Sequence, residues 1–164
     1  MSNKKIRLLV VDDEEQFLQS LGKRLEARDF DVVTTNRGEK AIDAARDREF
    51  DIALVDLKMP GMNGEETLEA LKQEHEYLEV VILTGHASVD SAVECTKMGA
   101  YSYLQKPCEF DVLLGVLADA HKKRAMRKLQ VDEDKMNDLL EHSVGESPLS
   151  ILRKINDLLE GPEE

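Results

Sequence analysis

Several features that would assign a chain to a secreted or membrane class are missing from this sequence of 164 residues. It has only two cysteines, Cys95 and Cys108, and their separation is not that of metal ligands, so we expect two free thiols in a reducing compartment. No apolar run approaches the ~18 residues of a membrane helix. The short run after Lys4 and Lys5 is not a signal peptide, because it ends in acidic residues. We therefore expect a cytoplasmic protein with no membrane segment.

An excess of positive charge is also missing. The chain has 22 Lys and Arg against 34 Asp and Glu, which gives a formal net charge of −12. General affinity for nucleic acid needs clustered Lys and Arg, so we expect no direct nucleic-acid partner. The one basic run, HKKRAMRK (121–128), is expected to be the solvated end of a helix, where cations are favourable.

Short β-branched runs alternate with amphipathic stretches through most of the chain. The intervening stretches and residues 109–129 place apolar side chains at helical spacing. Five strands alternating with five helices predict an α/β fold, a parallel sheet with helices on both faces. The predicted strands are 6–12, 30–35, 50–56, 79–85 and 100–104.

Polar side chains end or follow four of the five predicted strands. Asp12 ends the first predicted strand and Asp13 follows it, while Asp56 ends the third. Thr84 lies at the end of the fourth and Lys106 after the fifth. Each alone is typical of a helix N-cap, a turn or a solvated surface residue. Because ligand sites in open parallel sheets form at the carboxyl ends of the strands, we expect these side chains to share one site.

The predicted site contains more negative than positive charge. Two carboxylates about 4 Å apart repel each other by roughly 4 kcal/mol at an effective dielectric constant near 20. One ammonium group offsets only part of this repulsion. Oxygen ligands favour Mg²⁺, so the set predicts a magnesium site for phosphoryl transfer, with an aspartate as nucleophile.

Four motifs occur in this order along the chain: VVDDEE (10–15), ALVDLKMPGMNG (53–64), VVILTGHAS (80–88) and AYSYLQKP (100–107). Together they resemble the receiver domain of bacterial two-component response regulators. The resemblance covers roughly residues 5–125 and is nearest to receivers of the nitrogen-regulator type. It implies a flavodoxin-like, doubly wound sheet with strand order 2-1-3-4-5. It also implies a phosphoprotein that takes a phosphoryl group from a sensor histidine kinase or phosphotransfer protein, and that is not an enzyme with a separate substrate.

The resemblance implies a role for each residue of the magnesium site. Asp56 is then the phosphoacceptor, which forms an aspartyl phosphate. Asp13 binds Mg²⁺ directly and Asp12 binds it through water, while Lys58 supplies its backbone carbonyl. Lys106 pairs with the acyl phosphate, and its bond to Pro107 is expected to be cis, which suits a tight turn.

The resemblance also implies a switch. Thr84 moves to hydrogen-bond a phosphoryl oxygen, and Tyr103 turns inward as it does so. Lys58 and His86 flank the path of the hydrolytic water, and since neither is an obvious water-positioning acid or amide, we expect slow autodephosphorylation. Gly85 leaves the phosphate accessible. The expected output surface is the face of the fourth helix, fifth strand and fifth helix (residues 88–98, 101–104 and 109–120), used for a downstream protein target or a homodimer.

We expect a receiver domain at 1–128 and a helical C-terminal extension at 129–164. The extension shows two helical patterns, DEDKMNDLLEH (132–142) and SPLSILRKINDLLEGP (147–162). In the second, Ser147 is placed as N-cap and Pro148 as first helical residue. Its apolar stripe (Leu149, Leu152, Ile155 and Leu159) is expected to pack on the receiver, a partner or a second copy, because so short a helix is marginal alone.

Two other interpretations of the chain remain open. It could be the receiver fragment of a longer nitrogen-regulator-type transcription factor, although the ending LLEGPEE favours a stand-alone receiver. A phosphatase of the haloacid-dehalogenase type also uses an aspartate nucleophile and Mg²⁺. That family has a second Asp two residues after the nucleophile, whereas this chain has Lys58 there.

Overall fold

The computed structural model describes residues 4–160, with side chains to residue 158. The chain divides into two compact units, one ending at Arg124 and the other beginning at Ala125. The predicted boundary at residue 128 stays a prediction. The elements are β1 (Ile6–Val11), α1 (Glu15–Glu26), β2 (Phe30–Thr35), α2 (Gly38–Asp47), β3 (Ile52–Val55), α3 (Gly64–Glu74), β4 (Glu79–Thr84), α4 (Val89–Lys97), β5 (Ser102–Gln105), α5 (Phe110–His142) and α6 (Pro148–Glu160).

The five strands form one parallel sheet in the order β2-β1-β3-β4-β5, which confirms the expected topology. In the register, Val11 of β1 pairs with Val55 of β3. Asp12 and Asp56 therefore leave neighbouring strands at the same level. Strand β5 lies later in the chain than the predicted 100–104, because the N–H of Ala100 is bonded to the Cys95 carbonyl at the end of α4.

The core lies on both faces of the sheet. Alternate side chains of a strand point to opposite faces, so Leu9 and Val11 join one buried cluster while Leu8 and Val10 join the other. The second cluster also contains buried residues of α1 and α5, among them Leu117. All residues of β3 and β4 are buried, as expected for central strands of a covered parallel sheet.

Helix α5 differs from its prediction. We expected a helix over 109–129 and a separate one over 132–142, but one helix runs from Phe110 to His142. No glycine or proline occurs between Gly115 and Gly145, so nothing in the sequence interrupts the backbone hydrogen bonding. Gly145 has a φ of 93°, a conformation that few other residues adopt, and it lies in the turn that follows α5.

The basic run at the end of the receiver unit is not wholly solvated. Arg124 is only 6% exposed, and its guanidinium group contacts Glu49 and Asp51 at 2.7 and 2.9 Å. The expectation of a solvated run is wrong for this residue, because two acidic groups near the start of β3 lie within its reach. Lys122 and Lys123 of the same run are exposed.

Helix α6 begins as predicted. It starts at Pro148, and the Ser147 hydroxyl accepts a hydrogen bond from the Ser150 N–H at 3.2 Å, which caps the helix. Leu149 and Leu152 of its apolar stripe are exposed, while the side chain of Leu159 lies outside the described residues. The packing or self-association of this stripe stays a prediction, and the last four residues of the chain also lie outside the described part.

Helices long and apolar enough to cross a membrane do not occur among residues 4–160.

Candidate functional site

Asp12 turns the chain from β1 into α1. Its N–H donates to the Thr35 carbonyl at 3.2 Å, which continues the sheet by one bond beyond Val11. Its side chain accepts a hydrogen bond from the Glu14 N–H at 2.9 Å. The carboxylate is 2% exposed, so the local backbone fixes it at the edge of the core.

Asp56 occupies the equivalent position after β3. Its N–H donates to the Val11 carbonyl at 2.9 Å, and one carboxylate oxygen accepts a bond from the Leu57 N–H at 2.8 Å. The residue is 4% exposed. Both aspartates therefore end their strands, because each side chain takes a backbone N–H from the residues that follow it.

Three carboxylates meet at this edge of the sheet. Ligand oxygens of Asp12, Asp13 and Asp56 all lie within 4.8 Å of one another. Burial raises the pKa of Asp12 and the charge of Asp56 adds to the rise, while hydrogen bonds from Lys106 and from the Glu14 N–H lower it in part. Asp13 is exposed, which opens the cluster to solvent on one side.

This donor set fits Mg²⁺. All three ligands are carboxylate oxygens, which magnesium prefers, and the open side leaves room for the waters that it retains. A divalent cation would also relieve the repulsion between two carboxylates that are almost fully buried. The expected magnesium site is thus consistent with the geometry of Asp12, Asp13 and Asp56.

Lys106 supplies the positive charge of the cluster. Its Nζ lies 2.6 Å from Asp12 Oδ2 and 3.8 Å from Asp56 Oδ2. Glu14 is also near, at 3.9 Å, and the ring centroid of Phe17 is 4.0 Å away. The bond from Lys106 to the following proline is cis, as the resemblance implies.

Thr84 and Tyr103 hold the loop that follows β4. The buried Thr84 Oγ1 accepts a bond from the His86 N–H at 3.0 Å, and the Thr84 carbonyl accepts one from the Lys106 N–H at 2.8 Å. The Tyr103 hydroxyl accepts a bond from the Ser88 N–H at 3.3 Å, and its ring packs against the core. Thr84 is therefore linked by backbone to Lys106 and by side chain to the loop that leads into α4.

A groove of about 620 Å³ opens beside the carboxylates. The exposed side chains of Lys58 and His86 both line it, together with Asp13. The two positions assigned to hydrolysis thus border the open side of the site. Asn63, Glu65, Ser88 and Ser91 are further polar residues of its wall.

Sequence reasoning missed two residues of this site, Gly64 and Phe17. A Cβ on Gly64 would lie 2.1 Å from the Asp56 carbonyl oxygen, and the Gly64 N–H donates to Leu57 at 2.7 Å. Only glycine allows this close approach, which folds the loop after Asp56 back on itself. The pair Asn-Gly at the start of a helix was the available signal for Gly64. Phe17 had no comparable signal, since its spacing is that of any core residue of α1.

Residues 8–118 match the response regulator receiver domain family. The chain belongs to this family. It is 38% identical over 120 residues to the transcriptional regulatory protein ZraR of Klebsiella oxytoca, covering 73% of this chain and 27% of ZraR. It is 31% identical over 139 residues to the DNA-binding transcriptional regulator NtrC of Klebsiella pneumoniae, covering 85% and 29%. The chain thus spans little more than a quarter of the length of these curated relatives.

Solved receiver domains share the fold. A CheY-like response regulator receiver domain protein from Methanospirillum hungatei JF-1 superposes with a TM-score of 0.73 at 27% identity, covering 76% of this chain and 99% of the other. The signal receiver domain of a putative Luxo repressor protein from Vibrio parahaemolyticus gives 0.72 at 28% identity, covering 77% and 97%. The receiver interpretation is confirmed for fold and family, and the match does not favour the phosphatase alternative.

Proposed function

We propose that this receiver domain accepts a phosphoryl group on Asp56 from the phosphohistidine of a sensor kinase or phosphotransfer protein. A carboxylate oxygen of Asp56 attacks phosphorus, the P–N bond breaks and the histidine nitrogen leaves. The observation that carries this function is the cluster of Asp12, Asp13 and Asp56, with the Lys106 ammonium group beside Asp12 and Asp56. Regulation rather than turnover of a separate substrate is the expected outcome, and the cytoplasm is the expected location.

Asp12, Asp13, Asp56 and the backbone carbonyl of Lys58 would hold Mg²⁺. When bound, the metal neutralises charge on the phosphoryl oxygens. Lys106 adds a second positive charge near the oxygen of Asp56 that lies 3.8 Å from it. Lys58 and His86, on the wall of the groove, border the approach of the hydrolytic water and tune the lifetime of the phosphorylated state, which we expect to be long.

Thr84 and Tyr103 are the proposed switch residues. Because Thr84 Oγ1 accepts a bond from the His86 N–H, its own O–H is available to donate to a phosphoryl oxygen. A movement of Thr84 would pull on the loop that Tyr103 also holds through Ser88. Phosphorylation would thereby bias the start of α4 between two positions.

The output surface is the face formed by α4, β5 and α5. Three large apolar side chains of the two helices are exposed there: Val89 by 80%, Val93 by 46% and Val112 by 50%. We propose that a downstream protein or a second copy of the chain covers this face. The C-terminal helices are a second possible dimer contact, and direct binding of nucleic acid is not expected.

One alternative assigns the same phosphoryl transfer to a receiver that is part of a longer protein. Since the chain spans so small a part of ZraR and NtrC, it would also fit the receiver portion of a longer transcription factor. An antibody raised against this chain distinguishes the two on a blot of the source cells, because a longer regulator migrates at several times the mass of this chain.

The phosphoacceptor is tested by intact mass after incubation with Mg²⁺ and acetyl phosphate. We expect one phosphoryl adduct, absent from Asp56→Asn and absent without Mg²⁺. Steady turnover of acetyl phosphate with no adduct would instead support the phosphatase. No adduct and no turnover would contradict both functions.

A further inference from the structure

The ammonium group of Lys106 is enclosed on several sides. Asp12 Oδ2 lies 2.6 Å from Nζ, Asp56 Oδ2 3.8 Å and Glu14 Oε1 3.9 Å. The ring of Phe17 is a further neighbour, and its centroid lies 4.0 Å away. These groups leave 16% of the lysine side chain exposed.

The carboxylates compete for the lysine. Asp12 is nearer than Asp56, and the flexible four-carbon stem allows Nζ to follow whichever group attracts it most. An aromatic face attracts a cation through its quadrupole and takes no proton from it. Phe17 packs against the core cluster formed by the sheet, α1 and α5, so its ring is a fixed surface for the ammonium group.

We propose that Phe17 is a positioning residue for Lys106. Its ring face holds the ammonium group between Asp12 and Asp56, where that charge meets the incoming phosphoryl group. This role rests on the proposed function, because Phe17 acts only through Lys106. Without the ring, Lys106 would spend more time solvated or away from Asp56, and phosphoryl transfer would slow.

The chain contains a matched control. The Arg48 guanidinium carbon lies 5.1 Å from the ring centroid of Phe50, and Phe50 belongs to the buried cluster on the other face of the sheet. Phe17→Leu and Phe50→Leu therefore each remove a phenyl ring that faces a cation, and only Phe17 faces Lys106. Phe17→Tyr keeps an aromatic face and should therefore still position the Lys106 ammonium group.

The first measurement is the rate at which acetyl phosphate and Mg²⁺ produce the adduct. We expect Phe17→Leu to be about tenfold slower, as the loss of a desolvated cation–aromatic contact predicts. Phe50→Leu and Phe17→Tyr should stay near the wild-type rate. If Phe17→Leu does not fold, Phe17→Met replaces it, since methionine fills the volume without a ring.

The second measurement is the NMR shift of the Lys106 Cε protons. The ring current of Phe17 should move them upfield in the wild type, Phe17→Tyr and Phe50→Leu, and this shift should vanish in Phe17→Leu. A loss of stability alone would not produce that pattern.

Equal rates for Phe17→Leu and Phe50→Leu overturn this role, as does a wild-type spectrum with no upfield Lys106 signal. A Phe17→Tyr variant as slow as Phe17→Leu also overturns it. Failure of the proposed function is distinguishable, because then the wild type itself forms no adduct and the ring has no reaction to assist.

Discussion

The two ends of strand β3 carry the same side chain in opposite surroundings. Asp51 precedes the strand and Asp56 follows it, and each residue is 4% exposed. Asp51 lies between two guanidinium groups, with Arg7 Nη2 at 3.0 Å and Arg124 Nη1 at 2.9 Å. Asp56 lies beside two further carboxylates, with the Lys106 ammonium group at 3.8 Å.

The pKa values of the aspartates reflect this difference. Burial alone would raise the pKa of Asp51, but hydrogen bonds from Arg7 and the charges of Arg7 and Arg124 outweigh it, so its pKa lies below the ordinary value. At the other end of the sheet, burial and Asp56 raise the pKa of Asp12. Removing a buried carboxylate that is matched by cations destabilises the fold, because it leaves a buried charge without its partner. Asp12 and Asp56 instead share a single lysine, so removing one of these carboxylates relieves repulsion.

Replacing each aspartate by asparagine tests this contrast most strongly. We expect Asp51→Asn to lower the free energy of unfolding by about 3 kcal/mol, because it leaves the buried Arg124 with less compensating charge. Asp56→Asn, the matched control, removes a repelling charge and should leave stability unchanged or raise it. Urea unfolding without Mg²⁺ gives both values, and equal losses would refute the contrast.

Added Mg²⁺ should affect only one end of the sheet. At a concentration a hundred times its Kd, Mg²⁺ should stabilise the wild type by about 2.7 kcal/mol. Asp51→Asn should keep this increment in full, and Asp56→Asn should lose most of it. Thermal unfolding with and without the metal measures the increments. A smaller increment in Asp51→Asn would mean that the two ends are coupled.

The loop after Asp56 gives a steric test of the same end. Gly64→Ala places a methyl group against the Asp56 carbonyl, and we expect a loss of about 2 kcal/mol from this overpacking. Gly85→Ala is its control, because a Cβ there meets nothing within 4 Å. Urea unfolding compares the variants, and similar stabilities would show that the loop can shift without cost.

The stabilising contribution of the Asp51 carboxylate should decrease in acid. Because the pKa of Asp51 is lowered in the folded state, its carboxylate contributes fully to the free energy of unfolding above the unfolded pKa of about 3.9. This contribution is lost as the pH falls through the folded pKa. The stability difference between the wild type and Asp51→Asn should therefore shrink in that acidic range. We expect this to be the smallest of the four effects, and urea midpoints across the range measure it. A difference that is constant with pH would contradict the ion-pair explanation.

Much of the site could be predicted because topology alone brings its members together. Asp12, Asp56, Thr84 and Lys106 are far apart in the chain, but each ends or directly follows a strand of one parallel sheet. The spacing of apolar residues that predicts each strand and helix is a local property of the sequence. The order of the elements could therefore be predicted from it.

The rest depended on contacts that no local pattern encodes. Arg124 belongs to a basic run, and only the packing of α5 against the sheet brings it to Asp51. Phe17 has the spacing of a core residue, yet its ring meets Lys106. Residues 132–142 were expected to form a separate helix, but they are part of α5. This could not be predicted, because a charged surface helix has no local signal that marks its start.

By itself, the sequence determined which residue types stand at the ends of the strands, because strand ends and turn residues are set by short-range preferences. The tertiary structure decided what each of those residues does. Asp51 and Asp56 are chemically identical and equally buried, and the sequence places them five residues apart. One became part of an ion-pair cluster and the other part of a carboxylate cluster because folding places different charges within a few ångströms of each, and Coulomb energies depend on those charges.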